Sequence, residues 1–161
     1  MAVSIPNIVR LLLIIFPWIS VVFLPKKSFG KFMPIAFISS FLVAGMCAMA
    51  VPLKWWKIKG GWKGKVINDL SFILGPFFVG TIWVFHLTYG NFKRYLFINS
   101  VLDLSFSFLL SNLFQRMKLF RLVHFKPWQI FVFFMSFALF IYGLQRIIDR
   151  KKFHLESGRP L

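Results

Sequence analysis

Two carboxylates stand where a carboxylate is hardest to keep. The chain has four acidic residues, and two of them, Asp69 and Asp103, fall inside stretches that are otherwise apolar. Asp103 is the deeper, eight residues after Tyr95 and so about 12 Å into its run at 1.5 Å per residue. Asn99, Asp103 and Ser107 recur every four residues, and Ser100 and Ser111 fall close to the same helical face. An acid at the centre of a membrane helix costs roughly 2.5–3.5 kcal/mol, so this polar stripe must face protein or water. Such a site could act as an ion ligand, a proton carrier or a substrate contact. Its structural alternative is a carboxyl kept neutral by burial, or an ion pair that fixes helix packing. The face is expected to turn toward the second and third apolar stretches, which supply Ser, Gly and Pro. Asp69, beside Asn68, is shallower, and helix capping or pairing with Lys65 accounts for it.

No other constellation offers catalysis. The single Cys47 excludes an intramolecular disulfide and a cysteine-built metal site, and neither His124 nor His154 lies at ligand spacing from His86. There is no HExxH, no nucleophilic serine motif, no phosphate loop and no pair of carboxylates on one helix. The chain is therefore expected to be non-enzymatic and to need no cofactor or metal. Arg10 and Arg146 lie near the ends of apolar stretches and can reach the surface by snorkelling.

The elements that position these residues follow from composition. Of 161 residues, 58% are hydrophobic and 15% charged, against roughly 45–50% and 25% in soluble domains. A membrane helix needs about 20 mostly apolar residues, and five stretches qualify: 5–24, 33–53, 66–87, 95–114 and 128–145. They are too long, and too weakly alternating, for barrel strands. The expected fold is all-α, a polytopic bundle of about five transmembrane helices in one domain, with short linkers and a polar tail from Arg146. The first stretch is too long for the apolar part of a cleaved signal peptide and lacks a small-x-small site before Pro25, so it is read as a retained span. Pro17 and Pro76 lie inside spans and should kink them, with Gly75 and Gly80 weakening the third helix further. Ser39, Ser40, Ala44, Gly45 and Ala48 space small residues for close helix packing. The six tryptophans should lie near the membrane flanks, Trp18 excepted because it is deep in its span.

The 20 Lys and Arg residues cluster between the spans, which sets aside nucleic acid as a partner. Five crossings put ten on each face, so the positive-inside rule gives a tie. Nine of the ten on the N-terminal face lie in two closed loops, which leaves the orientation undetermined but leans it toward a cytoplasmic N-terminus. In KWWKIKGGWKGK, residues Lys54, Trp55, Trp56, Lys57 and Trp62 form a candidate headgroup anchor, with indoles at the interface and amines on anionic lipid.

From FISSF through KVINDLSFILGPFF and LDLSFSFLL to ALFIYGLQRIIDR, the order of features resembles a family of small polytopic membrane proteins from spore-forming Firmicutes. That family has no established activity. The resemblance implies a Gram-positive host and its plasma membrane, with Asp69, Pro76 and Asp103 in place of the family's acidic and proline positions and Gly75 where an aromatic is usual. Taken together, these features lead to the expectation of a multi-pass accessory or interaction subunit of the cell envelope, with a membrane-protein partner or a homo-oligomer. The alternative is a small oligomeric transporter or ion-conducting protein with its midplane site at Asp103.

Overall fold

Peptide groups in hydrocarbon must close their hydrogen bonds locally, and apolar runs of this length do so as helices. The computed structural model describes residues 5–58 and 60–157, with side chains as far as Arg150. Its helices are α1 (Ile5–Val21), α2 (Lys26–Met49), α3 (Gly61–Thr88), α4 (Phe92–Arg116) and α5 (Pro127–Ser157). Helices α2 to α5 are each long and apolar enough to cross a membrane. The protein is thus an all-α, membrane-spanning helical bundle. Helix α1 has 17 residues, about 26 Å, which is short of the roughly 30 Å hydrocarbon core. Three tighter turns carry the winding on to Leu24, where the amides of Val22, Phe23 and Leu24 each donate to the carbonyl three residues back.

Most of the other boundaries shift outward from those that hydropathy marks, although α2 stops at Met49, short of the expected residue 53. Residues 25–32, expected as a linker, open α2: Pro25 stands just ahead of the first turn and its carbonyl accepts from Ser28 and Phe29 at 2.9 and 3.1 Å. Helix α3 begins at Gly61, and α4 begins at Phe92, where the Asn91 side chain caps the Arg94 amide at 3.1 Å. Helix α5 continues beyond Gln145 through the expected polar tail as far as Ser157. Hydropathy locates the edge of the hydrocarbon, whereas helical hydrogen bonding persists through the headgroup layer, where Lys and Arg are at home.

Two of the linkers are not loops throughout. β1 (Trp56–Ile58) pairs antiparallel with β2 (Phe120–Leu122), with Trp56 opposite Leu122, Lys57 opposite Arg121 and Ile58 opposite Phe120. Alternation leaves Lys57 and Arg121 exposed and the other four half-buried. Both strands are entered in the same way. The Trp55 amide reaches back to Ala50 O at 3.1 Å and the Leu119 amide to Phe114 O at 3.0 Å, closing the ends of α2 and α4. The residue before each is left-handed, Lys54 at φ 50° and Lys118 at φ 60°. Glycine is usual there, and a side chain costs about 1–2 kcal/mol. The ribbon places both strands on one side of the membrane, so α3 and α4 must cross and return between them.

Helix α1 packs chiefly along α3, while α2 lies across α3 and α5, and α4 lies against α3 and α5. The closest approach is at Gly75. A Cβ built there would lie 1.9 Å from Leu13 O, the carbonyl to which Pro17 offers no N–H. Around it, residues Ile73–Phe77 form a π-helical turn, which frees Leu74 O to accept from Trp18 Nε1 at 3.0 Å. Gly75 therefore acts as a contact point, where Gly80 has nothing within 4 Å of its would-be Cβ. Trp18 sits level with the middle of α3, as its depth in sequence implies.

Candidate functional site

The polar stripe lies along α4, which has a second π-helical turn at Ser105–Leu110. Tyr95, Ser107 and Ser111 are fully buried, and Tyr95 Oη donates to Ala138 O of α5 at 2.9 Å. Asn99 donates to Tyr95 O at 2.9 Å. Asp103 is half-buried, and its Oδ2 is enclosed with no hydrogen-bond partner among the described residues; Ser107 Oγ is in the same position. The stripe thus faces α3, as expected, and α5 in place of the expected second helix. The reason is that α2, with Ser39 bonded to Thr81 at 3.1 Å, is committed to α3 and α5. No described cavity reaches Asp103.

A second polar group gathers under the ribbon. Lys65 pairs with Asp69 one turn on and also donates to Cys47 O at 3.2 Å, joining α3 to the end of α2. Asn68 accepts from Arg10 Nε at 3.3 Å, and Arg10 also donates to Asn7 at 3.2 Å. Arg10 is only 7% exposed, so it does not snorkel out but is held inside by α3. Its spacing from Asn7, three residues on one helix face, was the available signal. Asn68 and Asp69 edge a cavity of about 60 Å³ walled by Cys47, Trp56, Phe77, Phe106 and Phe134. That is room for a few waters, each of which needs roughly 10–15 Å³.

At the opposite end of the bundle Asp149 accepts from Tyr89 Oη and, at 3.1 Å, from Gln145 Nε2, and pairs with Lys31 at 3.5 Å. The Lys31 ammonium lies 4.3 Å from the Tyr89 ring centroid. Tyr89 is in the turn after α3, and burial, followed by the bond to Asp149, raises its phenol from 10.0 to about 12. A raised phenol pKa means that the neutral form is the one held. Its contribution to stability is complete below pH 10 and is lost as pH rises through about 12. The difference between ultraviolet titrations of the wild type and Tyr89→Phe should show a phenolate forming near that upper value. Asp149→Asn should move it down.

Of the candidate anchor, Trp55 and Trp56 are half-buried, with Trp55 stacked on Phe125 at 4.4 Å between centroids. Lys54, Lys57 and Trp62 are exposed, Trp62 at 70%. The two adjacent indoles therefore brace the ribbon against α5, and Trp62 is the one free to meet a bilayer interface.

Comparison with known proteins gives no matching family model, no matching curated protein and no matching solved structure. Fold and site together define a class: a membrane-spanning helical protein whose fourth helix holds an enclosed carboxyl oxygen with no hydrogen-bond partner among the described residues.

Proposed function

We propose that this chain is a non-enzymatic accessory or interaction subunit of a bacterial plasma membrane, with its N-terminus and ribbon on the cytoplasmic side. The observation that carries the reading is Asp103 on α4, the helix whose membrane window is the least covered, 11% buried against 33–50% for the other three. Leaving a polar group unpaired in hydrocarbon costs several kcal/mol. A partner helix laid on α4 would cover its exposed Phe97, Val101 and Leu104 and bring a basic or amide group to Oδ1, the oxygen of the half-buried carboxyl that the chain leaves uncovered. The resemblance to membrane proteins of spore formers supports the Gram-positive setting, and the closed basic loops support the orientation. Anionic lipid at those loops completes the surroundings.

The test is affinity purification in mild detergent. A defined partner, or a second copy, should accompany the wild type. Asp103→Asn should weaken that association about tenfold, or 1.4 kcal/mol, and Asp103→Leu should remove it. The helical circular dichroism of both variants should be unchanged. A lone protomer that moves a solute across vesicles would overturn the reading in favour of an oligomeric transporter or ion-conducting protein. The two π-helical turns at membrane depth favour that second reading, because such turns recur at functional sites.

A further inference from the structure

The outer face of the ribbon carries a charge pattern that the fold does not require. Lys57 and Arg121 are direct cross-strand neighbours and both are exposed. Like charges in that register destabilise a ribbon, so neutral or opposite residues would serve the pairing better. Lys118, beside them, occupies a left-handed position, φ 60°, where glycine would be unstrained. These three cations, with Gln115, Ile58 and Phe120, line a pocket of about 340 Å³, within the size range of small-ligand sites. Gln115 is braced, its Oε1 accepting the Leu122 amide at 3.1 Å, while its Nε2 has only a 3.5 Å contact to Asn112. No carboxylate among the described side chains answers the three cations. Asp69 is engaged by Lys65, Asp149 lies at the other end of the bundle and Asp103 lies in its middle.

We propose that this pocket binds a phosphorylated anion. The Arg121 guanidinium offers a fork to two phosphate oxygens, and Lys57 and Lys118 add point charges on either side. The Gln115 amide supplies a neutral donor, and Ile58 and Phe120 complete the lining. Three cations suit a phosphomonoester or pyrophosphate better than a single carboxylate. Because the ribbon lies where helices leave the hydrocarbon, the phosphate can belong to a lipid headgroup or to a soluble compound. The site differs from the tryptophan and lysine anchor of one loop, since it exists only when β2 and the end of α4 join β1.

The full chain in phosphatidylcholine nanodiscs, titrated with inorganic pyrophosphate, tests the soluble source. Nanodiscs that also contain phosphatidic acid, read by native mass spectrometry, test the headgroup. Saturable binding of either probe is expected, and the one bound assigns the source. Lys57→Gln and Arg121→Gln should each weaken it about tenfold or more, the effect of losing one charge-assisted bond. Lys118→Gly is the sharper variant: it relieves the backbone, so thermal unfolding should stay the same or rise while binding falls severalfold. Lys63→Gln, an exposed lysine outside the pocket, should leave binding within about twofold. Failure of both probes to bind saturably would overturn the proposal. So would equal losses in Lys63→Gln and Arg121→Gln, or full binding by a folded Lys118→Gly.

Discussion

Replacing Gly75 with alanine is expected to lift α1 off the bundle and to destabilise the protein by about 3 kcal/mol or more. The new methyl group would meet the Leu13 carbonyl at 1.9 Å, and backbone cannot rotate away as a side chain can. Overpacking of a core typically costs 1–3 kcal/mol, and separating the helices also breaks the bond from Trp18 to Leu74 O, worth about 1 kcal/mol. Because α1 packs chiefly on α3, separating the two removes most of what holds it. Gly80→Ala is the matched control: the space is open there, and alanine's higher helix propensity should leave stability unchanged or raise it by up to about 1 kcal/mol. Unfolding in mixed micelles with increasing dodecyl sulfate, followed by tryptophan fluorescence, measures both. Equal midpoints for the two variants would refute the contact.

The second large effect concerns Lys65. Removing its ammonium leaves the Asp69 carboxylate, whose side chain is 12% exposed, without its counter-charge, and also releases the end of α2 at Cys47 O. Breaking one side of a buried ion pair costs about 3–5 kcal/mol, whereas removing both charges is far milder. Lys65→Ala should therefore be severely destabilised, and Lys65→Ala combined with Asp69→Ala should recover most of the loss in the same unfolding assay. A double variant as unstable as the single one would show that the pair is not what holds this corner.

Residue types alone reveal some of this structure. Apolar runs of 20 residues leave helices as the only fit, so the bundle and its rough spans are legible, as is the Lys65–Asp69 pair at one-turn spacing. Helix ends are less so, because Lys26, Lys27 and Lys63 look like linker to any hydropathy window and yet form helical turns. The ribbon has no periodic signal at all. Three residues on each side become strands only because α3 and α4 return Phe120–Leu122 to Trp56–Ile58. Burial of Arg10 is hidden for a similar reason, since nothing in α1 says that Asn68 will stand opposite. Gly75 is visible as a weak point in a helix, but its use as a contact depends on where Pro17 leaves a free carbonyl. The stripe on α4 is legible in its spacing; its choice of α5 over α2 is not.

The ribbon also sets a timetable. Its two strands are separated in the chain by the whole of α3 and α4, about 60 residues. At a synthesis rate of 5–20 residues per second, β1 waits roughly 3–12 s for its partner. Over that interval the edge of Trp56 to Ile58 is an unpaired template carrying a tryptophan and an isoleucine, the kind of segment that joins the wrong chain. Lys57 in its centre, with Lys54 just ahead, keeps a second copy of the same edge away by repulsion. The charge that strains the finished pair therefore protects the unfinished one.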